Sequence, residues 1–184
     1  MNKYGEMLED GTLKFVRVLP GPIDRIWAWI TDGEKRAEWL AGGGDITHAG
    51  QTVRFDFQHD RLTPHDETYP DKYKEMAAGV SYDVEVRVCE APYRLVLFWP
   101  SEKWRASDIE FRLSEEGKDV KLQLFQRGDV KAEELIGSSA GWHVHLGIMA
   151  AKLSGEAPAP FWSAHEAFCR EYAERFKDEL AKLD

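Results

Sequence analysis

Val80-Ser81-Tyr82-Asp83-Val84-Glu85-Val86-Arg87-Val88 decides the fold class of this chain. Apolar and polar residues alternate without a break, the period-two mark of a strand with one buried and one wet face. Downstream, Pro92 marks a turn, and Leu95, Leu97 and Trp99 share one face of a second strand. Ile109, Phe111 and Leu113 make a third. Residues 114–118 contain Gly117 and read as a hairpin loop, after which Val120, Leu122 and Leu124 return. Upstream, Val53, Phe55 and Phe57 alternate with Thr52, Arg54 and Asp56. Strands joined this closely predict an antiparallel meander with one apolar face. The same alternation puts Cys89 opposite the valines and turns Glu110 and Arg112 to solvent.

An apolar sheet face needs a cover, and both flanks supply helices. Residues 13–19 read as a first strand, broken by Pro20-Gly21-Pro22. Ile23, Ile26, Trp27 and Ile30 then recur at helical spacing. A second short helix runs from about Asp32 to Trp39-Leu40 and stops at Gly42-Gly43-Gly44. Those glycines lack the following Lys-Ser or Lys-Thr of a phosphate loop. Residues 58–78 are polar and too long for an ordinary connection. They predict a lid, an insertion or a short helix at 70–77, and their shortage of apolar anchors predicts mobility. Beyond Ala132, Trp142, Leu146, Met149 and Leu153 fall at i, i+4, i+7 and i+11 of a covering helix. A last helix over 161–183 carries Phe161, His165, Phe168, Tyr172, Phe176 and Leu180 in a stripe. Its polar face mixes acids and bases, so it should dock on protein rather than membrane, on its own domain or across a two-fold homodimer. We expect an α+β domain over 1–157 with a helical extension over 158–184.

Composition narrows the function classes. The 184 residues, 43% hydrophobic and 31% charged, suit one globular domain. A net charge of -9 argues against nucleic acid and anionic membrane surfaces as partners. The first ten residues hold three acids, unlike a secretory signal, and no run approaches the ~18 apolar residues of a membrane span. Two cysteines without CxxC spacing fit a reducing cytoplasm.

The order strand, two short helices, meander, long helix is that of the helix-grip fold. Pro22-Ile23-Asp24-Arg25-Ile26-Trp27-Ala28-Trp29-Ile30-Thr31-Asp32 resembles the opening helix of the START-like (SRPBCC) superfamily. Trp39-Leu40, Gly141-Trp142 opening the covering helix, and Pro92-Tyr93-Arg94-Leu95-Val96-Leu97-Phe98-Trp99 resemble the branch named for the activator of heat-shock protein 90 ATPase. The resemblance covers about residues 13–153. It implies a curved sheet gripping a long helix around a cavity, in a superfamily whose members bind lipids, hormones or polyketides and in a minority catalyse. The eponymous co-chaperone has a separate N-terminal domain, whereas twelve residues precede Leu13 here, so a chaperone partner is not the leading expectation.

The expected function is therefore binding of a small apolar or amphipathic molecule, without a cofactor. The alternatives are a protein-interaction module and a hydrolase or cyclase using the same cavity. Candidate ligand-binding residues are Trp39, Phe55, Phe57, Trp99, Trp142, His145, Leu146 and Met149, with Gln126 continuing an inward face and Trp104 at the rim. Aromatic rings such as these either fill a core or line a pocket. His143 and His145, two apart on a helix, point roughly 200° apart and cannot share a metal. His59 and His65 sit among Asp60, Asp66 and Glu67 without metal-ligand spacing. Cys89 and Cys169 lack an activating neighbour in sequence. No catalytic residue and no metal site is assigned.

Overall fold

The computed structural model describes residues 4–99, 106–128 and 131–181. Eight antiparallel strands form one sheet in the order β1-β2-β8-β7-β6-β5-β4-β3. They are β1 (Glu6–Met7), β2 (Leu13–Pro20), β3 (Gly42–Gly43), β4 (Thr52–Phe57), β5 (Val80–Glu90), β6 (Arg94–Trp99), β7 (Ser107–Glu116) and β8 (Asp119–Arg127). The chain leaves β2 through α1 (Ile23–Thr31) and α2 (Gly33–Ala37), then returns as a meander that brings β8 alongside β2. The long helix α3 (Ala132–Leu153) covers the sheet, and α4 (Phe161–Arg175) and α5 (Lys177–Leu180) follow. This is the α+β helix-grip fold, with the sheet curved around its C-terminal helix.

The period-two residues point where alternation predicts. Phe15, Val53, Phe55, Val84, Val86, Leu95, Leu97, Phe111, Leu122 and Leu124 all lie in one buried cluster. Helix α3 is buried on opposite sides, which explains why it is apolar nearly all round. Trp142 meets Phe111 of β7 edge-on at 6.1 Å, while His143 stacks on Phe168 of α4 at 3.7 Å. The tail helix thus docks through its stripe on α3 of the same chain. Tyr172 links it further: its hydroxyl accepts the Gly5 N–H at 2.7 Å and lies 2.9 Å from His143 Nδ1.

The turn from α1 to the sheet edge is built on an arginine. Asp32 caps α2, its carboxylate accepting the N–H groups of Glu34 and Lys35 at 3.0 Å each. Arg36, 1% exposed, donates to the carbonyls of Ile30, Thr31, Ala41, Gly42 and Gly44 and lies 4.1 Å over the Phe55 ring. Burial lowers its pKa to about 10, which still leaves it charged at neutral pH. Gly43 is more than a helix stop. It lies in β3 with φ +100°, and a Cβ there would sit 1.9 Å from the Arg54 carbonyl oxygen.

Several expectations need correction. The register of β5 on β6 shifts between Val86 and Val88, so Arg87 is bulged out. Val88 therefore pairs with Val96, and Cys89 pairs with Leu95 and packs against the core rather than opposite the valines. Glu110 does not face solvent. Its side chain is 2% exposed under Arg94, Arg112 and Arg127, at 2.8, 2.7 and 2.6 Å. Burial would raise its pKa, but hydrogen bonds from those three arginines outweigh it and hold the carboxyl at about 2.

Residues 58–78 are not short of anchors. They form a 3-10 turn (His59–Arg61) and a 3-10 helix (Asp71–Ala78), with His59, Leu62 and Thr63 buried and Tyr69, Tyr73 and Met76 packed on the core. Gly141-Trp142 lies in the middle of α3, not at its start. The last helix breaks at Phe176, the C-cap of α4. Trp104, and the end of the tail beyond 181, lie outside the described residues.

Candidate functional site

A pocket of about 430 Å³ opens between the sheet and the first half of α3. Its existence follows from residue size. The helix presents Gly137, Ser138 and Gly141 to this space, and their small side chains leave it unfilled. From the sheet come Phe57, Tyr82, Trp99, Ser107, Ile109 and Gln126. The remaining wall is supplied by Tyr73 and Met76 of the 3-10 helix and by Phe161, Trp162 and His165 at the start of α4. Lys72, Glu75 and Glu133, all exposed, mark the mouth together with Glu134.

The predicted residues divide in two. Phe57, Trp99, Trp142 and His145 line the pocket. Trp39, Phe55, Leu146 and Met149 are fully buried and belong to the solid core. Trp39 is held by its indole N–H on the Trp29 carbonyl at 2.8 Å and meets Phe111 edge-on. Phe55 lies between the Arg36 guanidinium and the Trp99 ring, whose centroid is 5.4 Å away. Gln126 does reach the wall. Its Oε1 accepts the Trp142 indole N–H at 2.8 Å, and its Nε2 lies 3.4 Å from Ser107 Oγ.

Three wall histidines come from regions that strand alternation leaves aside or underuses. His59 continues the inward register Val53, Phe55, Phe57 by two more residues, a signal present in the sequence. His165 sits in the tail stripe, and His145 on α3. All three are 6% exposed. His145 Nδ1 lies 2.7 Å from the Trp39 carbonyl oxygen. A carbonyl only accepts, so Nδ1 carries the proton and Nε2 is a bare lone pair. Burial, reinforced by His59, lowers the His145 pKa to about 3 against the bond to Trp39. Burial, with His165, lowers that of His59 to about 4. Burial also lowers His165, opposed by its hydrogen bond to the Gly137 backbone. All three rings are therefore neutral at pH 7.

Among the described residues no group of three or more His, Cys, Asp or Glu is arranged to hold a metal ion. Cys169 lies 3.7 Å from His165 Nδ1, yet burial raises its thiol pKa, as it does that of Cys89. Neither is an activated nucleophile.

The loop and the tail hold each other in place beside the pocket. Glu67 accepts the N–H groups of Trp162 and Ser163, both at 2.9 Å, and so caps α4 from a distance. Burial would raise its pKa, but these bonds and the Ser163 hydroxyl bring it below its ordinary value. Tyr73 stacks on Trp162 at 5.1 Å, and Lys72 reaches Glu133 of α3 at 2.5 Å.

The family model described as activator of Hsp90 ATPase homolog 1-like protein matches residues 20–154. The chain belongs to that family. A solution structure of the protein encoded by gene BPP1335 of Bordetella parapertussis is 37% identical, with a TM-score of 0.78 over 95% of this chain and 91% of that one. CalU16 from Micromonospora echinospora, at 18% identity, shares the fold with a TM-score of 0.66 over 93% of each chain. DynU16, described as a protein in the dynemicin biosynthetic locus, is 19% identical with a TM-score of 0.62. The match covers 82% of this chain and 49% of that one. No curated protein matches the sequence. Among the described residues of this family member, no helix is long and apolar enough to cross a membrane.

Proposed function

We propose that this family member binds a small apolar or amphipathic molecule in the pocket between α3 and the sheet. The observation that carries the reading is a pocket of about 430 Å³ whose wall is mainly apolar and rich in aromatic rings, with a limited set of polar groups among them. Ligand sites are typically concave, about 300–1,000 Å³, and apolar with a few placed polar groups. The relative named for a biosynthetic locus is in keeping with a small-molecule role, at the level of fold.

A catalytic reading needs a base matched to neutral pH. His145, with its pKa at about 3, holds an abstracted proton poorly and suits a hydrogen-bond acceptor better. Among the described residues a chaperone-partner reading has no comparable feature to rest on.

Tryptophan fluorescence tests the reading, because Trp99, Trp142 and Trp162 all line the pocket. Titration with fatty acids, sterols and aromatic polyketides should give a saturable change for at least one class. Trp99→Leu should weaken that response more than it weakens folding. If no compound binds below millimolar concentration, the binding reading fails.

A further inference from the structure

The polar groups of the pocket wall are unequally satisfied. Trp142, Gln126 and Ser107 are matched to one another, and His165 Nδ1 lies 3.7 Å from the Cys169 sulfur. His145 uses Nδ1 on the Trp39 carbonyl, and among the described residues nothing hydrogen-bonds its Nε2. His59 lines the same pocket, and its Nδ1 is buried without a hydrogen-bond partner among the described residues. Both side chains are more than nine-tenths buried, and their ring centroids stand 5.8 Å apart. The unmet polar demand of the pocket thus falls on two adjacent imidazoles and on the Trp162 indole N–H, whose ring lies 5.2 Å from that of His59.

We propose that the ligand is a neutral apolar molecule bearing a hydroxyl group, which donates to His145 Nε2 and accepts from His59, and that the pocket disfavours the corresponding carboxylate. This rests on the ligand-binding reading above. A hydroxyl has one donor and two acceptor lone pairs, so one oxygen satisfies a bare imidazole nitrogen and an imidazole N–H together. Two hydrogen bonds of about 2.8 Å from one oxygen suit rings at this separation. A carboxylate has no proton to offer the His145 lone pair, and burial disfavours the imidazolium that would otherwise neutralise it. Among the described residues the mouth supplies no cation to spare. Glu75, Glu133 and Glu134 stand there with one lysine, Lys72, which is engaged by Glu133.

Calorimetric titration of the full chain near pH 7 with pyrene, 1-hydroxypyrene, 1-pyrenemethanol and 1-pyrenecarboxylate tests this at constant ring skeleton. At least one hydroxyl compound should bind about tenfold more tightly than both pyrene and the carboxylate. The phenol and alcohol arms show which hydroxyl the site takes. His59→Phe and His145→Phe should each bring the ratio close to one while pyrene still binds. Should His145→Phe fail to fold, the nitrogen-15 resonance of His145 Nε2 in the unaltered chain should move on saturation with the hydroxyl compound. A carboxylate that binds as tightly as the hydroxyl compound, a preference that survives His59→Phe, or an unmoved Nε2 resonance overturns the proposal. Pyrene binding with no hydroxyl preference overturns it alone, leaving the ligand-binding reading intact. Failure of all four compounds to bind counts against both.

Discussion

The two halves of α3 meet the same sheet in opposite ways. From Leu146 onward the helix is sealed, with Leu146, Met149 and Leu153 buried and Trp39 and Phe55 filling the adjoining core. Before Leu146 it carries Gly137, Ser138 and Gly141 toward open space, and the missing volume is walled by the 58–78 segment and the start of α4. A helix over a sheet therefore leaves a pocket open through small residues on one half of it. The walls of that half come from parts of the chain distant in sequence. Rings in the sealed half serve stability, and rings in the open half are available for recognition.

The contrast breaks if the sealed half tolerates truncation. Trp39→Ala should cost about 3–5 kcal/mol, as for other buried Trp residues. Urea denaturation reads this as a lowered midpoint, and an unchanged midpoint would deny that this half is solid.

The open half should announce itself in acid. His59 and His145 titrate at about 4 and about 3 in the folded chain, against 6.5 for an ordinary histidine. The unfolded chain therefore binds more protons as pH falls below 6.5, and stability present above that pH is progressively lost down to the folded values. At pH 5 the loss is roughly 2 kcal/mol for each ring, from about 1.4 kcal/mol per pH unit. Denaturation midpoints measured from pH 7 to 5 should fall, and His59→Phe should flatten the fall by less than half, because His145 and His165 still contribute.

Glu67→Ala should remove the cap that ties loop to tail, at about 1–2 kcal/mol. Amide exchange should quicken in both 58–78 and the first turn of α4 and stay slow in β5. Equal acceleration everywhere would mean that the two segments do not hold one another locally.

The smallest and sharpest test uses two glycines of one helix. A Cβ added at Gly141 or Gly147 meets nothing within 4 Å. Each Gly→Ala change should stabilise the helix by up to about 1 kcal/mol. Of the two, Gly141 alone lines the pocket, so Gly141→Ala should also weaken binding of whichever compound titrates, whereas Gly147→Ala should not.

What the sequence made legible follows from where the period is clean. The inward sets of β4, β6, β7 and β8 could be read directly, because each places large apolar residues at every second position. The Arg87 bulge could not, since one extra residue flips the face without changing composition. Glu110 defeats alternation, which assumes that a charge seeks water, because three arginines on its own and neighbouring strands enclose it. Trp39 and Phe55 have the same character in sequence as Phe57 and Trp99, and only the placement of Arg36 and the small α3 residues separates core rings from wall rings. The anchors of 58–78 escape a local reading because their partners, Trp162, Ser163 and Pro158, lie about ninety residues away.

The guanidinium of Arg36 also governs how copies of the protein can meet. An open sheet presents two edges, and exposed edges invite strands from other chains to extend the ladder. Here both outermost strands, Glu6–Met7 and Gly42–Gly43, are two residues long. At the second edge, the carbonyls of Gly42 and Gly44 are already taken by Arg36. An incoming strand finds almost no ladder to continue there, so growth of the sheet from the β3 side is discouraged even when the chain is concentrated.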